Sequence, residues 1–181
     1  MGRHEAFGEV VEFGRGRLPG HPWALSLQAL LRPAEARSFA PRAVSREVLA
    51  ELHALMALSP GLAEASPVRV LFLASEAAKA RLVPWLSPAE RAAAQGAPAC
   101  AVIGYDAAFA EQLAAFVDEG AGPGTALKNG LLQGAYLAVA ARALGLEAAF
   151  VASFDRRGVA GEFFPRSAVT PTFVARLGYP A

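Results

Sequence analysis

The chain has 181 residues, of which 54% are hydrophobic, and it carries 17 basic and 16 acidic side chains. This length is enough for one domain to bury a core without disulfides or metal ions. The charged fraction of 18% excludes a disordered chain, and the net charge of +1 gives no general attraction to nucleic acid or to an anionic membrane. We therefore expect a soluble, cytoplasmic protein that binds neither.

The first 22 residues are predicted to form an N-terminal arm, and residues 23–181 a single domain. The arm is set apart by its glycines, because Gly14, Gly16 and Gly20 lie in a basic turn region that contains Pro19. These glycines do not have the spacing of a dinucleotide-binding fingerprint. We interpret the segment as a flexible arm rather than a nucleotide site.

Apolar spacing and capping residues predict the elements in the first half of the domain. In chain order they are a helix over residues 23–36, a helix capped by Ser45, a strand over 68–73, a helix capped by Ser75, and a helix started by the capping box of Ser87 and Glu90. The second half begins with a strand over 99–105, whose continuous hydrophobicity predicts burial on both faces. It continues with a helix capped by Asp106 and running to residue 117, a long helix over 125–144, and strands over 148–154 and 171–177. Helices thus interleave with about four or five strands, a pattern typical of a layered α/β or α+β domain.

The long helix over residues 125–144 carries a stripe of small residues, Gly130, Gly134 and Ala138, and Gly145 is its predicted C-terminal stop. Such a stripe lets another element approach the helix backbone closely. Packing against a second subunit and packing within one subunit both satisfy this pattern.

The sequence offers no catalytic residue and no metal site. His4, His21 and His53 are too scattered to form a ligand set, and the lone Cys100 lies in an apolar run typical of a buried, unreactive thiol.

Five segments, taken in order, resemble the nitroreductase family, and within it the branch that contains a malonic semialdehyde reductase. The first segment, Ala36-Arg37-Ser38-Phe39, is similar to the family's phosphate motif, and residues 59–69 look like its proline-bracketed flavin loop. The others are residues 128–136 and 141–147, which span the long helix and its end, residues 153–155 with 162–164 after it, and residues 177–179 in the last strand.

The resemblance implies an α+β layered sandwich with a mostly antiparallel central sheet flanked by helices. It further implies an intertwined homodimer, with the long helix at the dimer interface and flavin mononucleotide (FMN) between the subunits. The implied activity is that of an FMN-dependent NAD(P)H oxidoreductase. Such an enzyme reduces nitro, quinone or small carbonyl compounds by ping-pong hydride transfer through the flavin.

Carried over residue by residue, the resemblance implies cofactor contacts in three segments: Arg37 and Ser38 for the phosphate, Glu64 and Arg69 in the flavin loop, and Val151 and Ser153 after the long helix. Several positions depart from the family pattern. Ala40 stands where a third phosphate contact is usual, with Arg42 two residues beyond. Glu64 replaces a polar amide, and Phe150 and Ser153 add bulk beside the flavin ring.

These departures support a second hypothesis, in which the protein has lost FMN and serves as a ligand- or partner-binding module. Two residues also have ordinary structural interpretations. Arg69 can pair with a nearby carboxylate such as Glu64, and Asp155 can cap a helix. Ser153 is equally suited to donating a hydrogen bond to flavin and to ending a strand.

Overall fold

The computed structural model describes Leu30 and residues 38–58, 68–108 and 123–181. The account below concerns the compact unit Pro33–Ala181, which contains all of these residues except Leu30. The predicted arm, the boundary after residue 22 and most of the predicted helix over 23–36 lie outside the described residues. Of the helix predicted from Asp106 to residue 117, only the residues up to Ala108 are described.

The described residues form five α-helices and four β-strands. In chain order these are α1 (Arg46–Ala57), β1 (Val68–Leu73), α2 (Glu76–Leu82), α3 (Pro88–Gly96), β2 (Ala99–Asp106), α4 (Pro123–Ala143), β3 (Glu147–Phe150), α5 (Arg156–Phe163) and β4 (Val169–Gly178). A short 3₁₀ turn, Val83–Trp85, joins α2 to the segment before α3.

The four strands form one antiparallel sheet in the order β1-β2-β4-β3. The predicted α+β class and the antiparallel central sheet are therefore confirmed. Strand β2 is central and buried from Ala99 to Gly104, as its unbroken apolar sequence predicted. Strand β4 is longer than predicted because it pairs with β2 along one side and β3 along the other.

Helices cover both faces of the sheet, and each face has its own apolar core. Helices α1 and α4 cover the first face, where Leu52, Ile103 and Leu137 are fully buried. Helices α2, α3 and α5 cover the second face, where Leu82 and Val159 are fully buried. Burying each such side chain contributes on the order of 1.5–3 kcal/mol, so both cores stabilise the sheet.

The small-residue stripe of α4 faces the sheet of its own chain. A Cβ atom on Gly134 would lie 2.5 Å from the ring of Phe173 in β4, and one on Gly130 would lie 3.4 Å from Tyr105 in β2. The side of α4 that carries Leu127, Leu131 and Leu132 is exposed. Of the two interpretations of the stripe, the structure shows packing within one subunit, against strands rather than another helix.

Four of the five predicted helix caps are formed by side chains, and one of these is Asp106, which accepts a hydrogen bond from Ala108 N–H. Ser45 accepts a hydrogen bond from Val48 N–H, Ser75 from Ala78 N–H, and Asp155 from Arg157 and Gly158 N–H. The capping box at Ser87 is wrong in detail, since only its carbonyl oxygen accepts from Glu90 N–H, at 2.9 Å. The start of α3 at Pro88 is nevertheless as predicted.

The third strand is shorter than the predicted range of 148–154. Strand β3 ends at Phe150, and Val151 N–H still donates to Val174 O at 2.9 Å. The chain then leaves the sheet, because Phe154 forms an isolated bridge with Leu86 and Asp155 N–H donates to Trp85 O at 2.7 Å.

Candidate functional site

The segment that resembles the phosphate motif lies at the C-terminal end of β4. Phe39 forms an isolated antiparallel bridge with Pro180, and Ala40 N–H donates to Tyr179 O at 2.9 Å. Ser38 is exposed beside this bridge. Arg37 lies outside the described residues, so its role stays a prediction.

Arg69 lies near the start of β1, where its guanidinium pairs with the Asp106 carboxylate at 3.2 Å. It also donates to Val68 O at 3.1 Å, and its side chain is 44% exposed. The predicted ion pair of Arg69 is therefore present, with Asp106 as a partner. Glu64 lies outside the described residues, and both its pairing and its role in binding flavin stay predictions.

Sequence reasoning assigned Asp106 only a capping role. The carboxylate does accept from Ala108 N–H at 3.2 Å, but its contact with Arg69 depends on the pairing of β1 with β2. The register places Arg69 opposite Gly104, so Asp106 lies two residues farther along β2, diagonally across from Arg69 on the same face of the sheet. The charge of Asp106 at the end of the buried strand β2 is the one sequence signal that could have pointed to this contact.

The segment after β3 contains the other two predicted contacts. The Val151 side chain is buried in the second-face core and its N–H is already bonded, so its carbonyl oxygen is the group left for a ligand. Ser153 is exposed, and its carbonyl oxygen accepts from Ser87 N–H at 3.3 Å. Nearby, Phe150 is 38% exposed and makes an edge-to-face contact with Phe173, with ring centroids 5.4 Å apart.

The described members of the predicted set do not meet at one place. Ser38 lies beyond the end of β4, and Arg69 lies at the opposite end of the sheet, where β1 begins. Strands β1 and β3 are the two outer strands, so Arg69 and the segment after β3 are separated by three strand spacings, about 14 Å. Within one chain the described members of the set are therefore divided between two sides of the sheet.

A cavity of about 800 Å³ opens beside the outer strand β1. Its polar lining includes the Arg69–Asp106 pair, His53 of α1 and Gln133 of α4, and its apolar lining includes Phe163. The volume is in the range of small-molecule sites. The opposite charges of Arg69 and Asp106 compensate each other, so the cavity suits a largely apolar ligand with a few polar groups.

Two further titratable groups, Cys100 and Lys79, are buried in the domain. Burial raises the pKa of the Cys100 thiol to about 11, which leaves it protonated and unreactive at neutral pH. The buried Lys79 ammonium donates to Glu76, Gln95 O and Ala97 O at 2.6–2.8 Å.

Within residues 38–58, 68–108 and 123–181, no three His, Cys, Asp or Glu side chains come together as a metal site. In the same ranges no helix is both long and apolar enough to cross a membrane.

Comparison with known proteins gives relatives along most of the chain. A protein of Stenotrophomonas maltophilia (strain K279a) named "Putative NADH dehydrogenase/NAD(P)H nitroreductase" is 37% identical over an alignment of 168 residues, with coverage of 86% of each chain. A Burkholderia lata protein of the same name is 41% identical over 142 residues, covering 71% of this chain and 73% of its own. No family model matches the sequence.

Solved structures agree in fold. A nitroreductase family protein from Streptococcus pneumoniae superposes with a TM-score of 0.70 at 16% identity, covering 87% of this chain and 90% of its own. An FMN-dependent nitroreductase from Clostridium difficile superposes with a TM-score of 0.67 at 13% identity, covering 85% of this chain and 87% of its own. The identity and coverage of the relatives, together with this shared fold, show that the chain belongs to the nitroreductase family.

Proposed function

We propose that the protein is an FMN-dependent NAD(P)H oxidoreductase whose acceptors are nitro, quinone or small carbonyl compounds. The observation that carries this proposal is the 37% identity to a relative named for NADH dehydrogenase and NAD(P)H nitroreductase, over 86% of both chains. The fold match to a nitroreductase described as FMN-dependent supports the choice of cofactor. A malonic semialdehyde reductase-like specificity stays a prediction within this class.

The described side chains fit the two ends of FMN. The exposed hydroxyl group of Ser38 can donate to a phosphate oxygen, and that of Ser153 can donate to a polar edge of the flavin ring. The partly exposed Phe150 ring offers an apolar, aromatic surface near Ser153. Hydroxyl donors combined with an aromatic surface match a ligand that has an anionic tail and a flat ring.

A bound flavin supplies the redox chemistry, by taking a hydride from NAD(P)H and passing reducing equivalents to the acceptor. The chain's own residues then have to bind and orient the flavin and exclude water from it. Ser38 and Arg37 hold the phosphate, while Glu64, Val151 and Ser153 position the ring in this proposal. Because Arg69 shares its charge with Asp106 at 3.2 Å, we expect its contribution to cofactor binding to be small.

We also propose that the site is completed in a homodimer. Two observations support this: Leu127, Leu131 and Leu132 form an exposed apolar side of α4, and those predicted contacts that the structure describes lie on opposite sides of the sheet. A second copy can cover the leucines and bring the β1 side of one subunit to the β3 side of the other. Because the proposed reductant is NAD(P)H, we place the protein in the cytoplasm.

The visible absorption spectrum of purified protein, taken after addition of FMN and desalting, tests the cofactor. We expect a retained flavin band at about one FMN per subunit, and NADH- or NADPH-dependent bleaching that a nitroaromatic compound or a quinone reverses. A folded dimer without a retained band, and without reductase activity in excess FMN, contradicts the proposal. Light scattering on the same sample measures the oligomeric state.

A further inference from the structure

The segment from Ser38 to Arg42 is fixed against the C-terminal end of β4. Its main chain is held by the Phe39–Pro180 bridge and by the hydrogen bond from Ala40 N–H to Tyr179 O. Gly178 lies beneath Phe39, since an added Cβ there would be 2.8 Å from Phe39 Cγ. The position of this segment therefore depends on β4 rather than on local sequence.

In this arrangement Ala40 is hydrogen-bonded to Tyr179, and the side chain of Arg42 also contacts Tyr179. Arg42 N–H donates to Ala40 O at 2.7 Å, and the guanidinium carbon lies 3.9 Å from the centre of the Tyr179 ring. Ala40 itself carries no charge. The stacked guanidinium therefore puts a positive charge beside Ala40, the position where the phosphate motif of the family has a third contact.

Stacking on a ring leaves the edge of the guanidinium open. The N–H donors of arginine point outward in the plane of the group, so a contact through its face does not use them. Arg69, Arg81, Arg142 and Arg176 each pair with a carboxylate, but none of the described carboxylates forms an ion pair with Arg42. Arg42 is thus oriented by an uncharged partner and keeps its charge for an anion.

We propose that Arg42, held against Tyr179, binds the phosphate group of FMN and replaces the cation that is missing at Ala40. This inference rests on the proposed function and adds a phosphate-binding residue outside the usual positions of the motif. Planar guanidinium donors suit the paired oxygens of a phosphate. Ser38, on the same fixed segment, supplies a neutral donor to the same group.

Binding of FMN and of riboflavin, which lacks the phosphate, separates this role from a general effect on the flavin site. Each dissociation constant is measured by quenching of flavin fluorescence on titration with the wild type, Arg42→Ala, Arg42→Gln and Arg42→Lys. Arg46→Ala is the matched control, because Arg46 is exposed and only four residues away. Circular dichroism and thermal denaturation establish that each variant is folded. If Arg42→Ala does not fold, Arg42→Gln takes its place in the comparison.

We expect Arg42→Ala and Arg42→Gln to weaken FMN binding by about 10- to 100-fold, the loss of one or two charge-assisted hydrogen bonds. Riboflavin binding should change by less than about twofold in both, Arg42→Lys should restore part of the FMN affinity, and Arg46→Ala should bind FMN like the wild type. Unchanged FMN binding, or equal losses for FMN and riboflavin, overturns the inference while leaving the proposed function in place. A wild type that binds neither flavin overturns both.

Discussion

Each end of the sheet carries an arginine in a segment that is predicted to contact the cofactor, and the two arginines differ in their partners. At the C-terminal end of β4, Arg42 stacks on the Tyr179 ring at 3.9 Å. At the other end, Arg69 is neutralised by the Asp106 carboxylate at 3.2 Å. Proximity to a motif therefore does not decide the role of an arginine. The group that orients the guanidinium decides whether its charge remains available to a ligand.

The two ends also differ in how they are held. The Arg42 end depends on close packing around Gly178, whereas the Arg69 end depends on an exposed ion pair. Close packing is sensitive to a single added methyl group, while exposed ion pairs contribute little to stability. Substitutions at the two ends should therefore lower the free energy of unfolding by very different amounts.

Gly178→Leu should have the largest effect. Its Cβ would lie 2.8 Å from Phe39 Cγ and from Pro98 Cγ, so the Ser38–Arg42 segment would have to move. We expect a loss of about 3 kcal/mol in the free energy of unfolding, at the upper end of the usual cost of overpacking, together with weaker FMN binding. Urea denaturation measures the first and fluorescence titration the second.

Gly161→Ala is the control, because a Cβ at Gly161 in α5 meets nothing within 4 Å. This change should be neutral or stabilising by up to about 1 kcal/mol, since alanine favours a helix. A Gly178→Leu protein as stable as the wild type would show that the Arg42 end is not held by close packing.

An effect of intermediate size is expected from Cys100, which lies in β2 between the two ends of the sheet. Through this thiol the free energy of unfolding should depend on pH. Its pKa is about 11 in the folded protein, against 9.0 as the ordinary value, because burial disfavours the thiolate. The pKa is raised on folding, so the stabilisation is fully present below pH 9 and is lost as the pH rises toward 11. Linkage gives a loss of about 2 kcal/mol by pH 10.5.

The difference in unfolding free energy between the wild type and Cys100→Ala, measured from pH 8 to 10.5, isolates this contribution. Both proteins share their other titrating groups, and arginines stay charged throughout this range. We expect the wild type to lose more stability than the variant as the pH rises. Parallel curves would mean that the thiol titrates as it does in the unfolded chain.

The smallest effects are expected at the Arg69 end. Arg69→Gln should lower the free energy of unfolding by less than about 1 kcal/mol, because the Arg69 side chain is 44% exposed. It should also change the FMN dissociation constant by less than about threefold. Asp106→Asn tests the same point in the opposite direction, and a marked gain in FMN affinity in that variant would show that Arg69 can bind the cofactor once it is released.

Much of the fold could be predicted where the signal is local. The strand over 68–73 was marked by its apolar sequence, and α1 by the Ser45 cap and the spacing of Leu49, Leu52 and Met56. The strand predicted over 148–154 was too long for a non-local reason. Residues after Phe150 turn away to meet Leu86, and apolar composition does not distinguish that contact from a sheet partner.

The candidate site was predictable only in part. The family resemblance indicated the segments of Ser38, Arg69 and Ser153, and the ion pairing of Arg69 was foreseen as an alternative. The identity of Asp106 as a partner was not, because it follows from the register of β1 with β2. The stacking of Arg42 on Tyr179 joins residues 137 positions apart, and no spacing rule connects them.

By itself the sequence determined a layered domain of helices and strands, most of the helix caps and the resemblance to the nitroreductase family with its α+β fold, because periodicity, capping side chains and short motifs act over a few neighbouring residues. The tertiary structure decided which side of α4 faces the sheet, which arginine keeps its charge and which residues surround the cavity beside β1. These outcomes depend on strand order and register. Strand pairing brings together residues that are distant in the chain, and the packing of the whole domain selects that pairing.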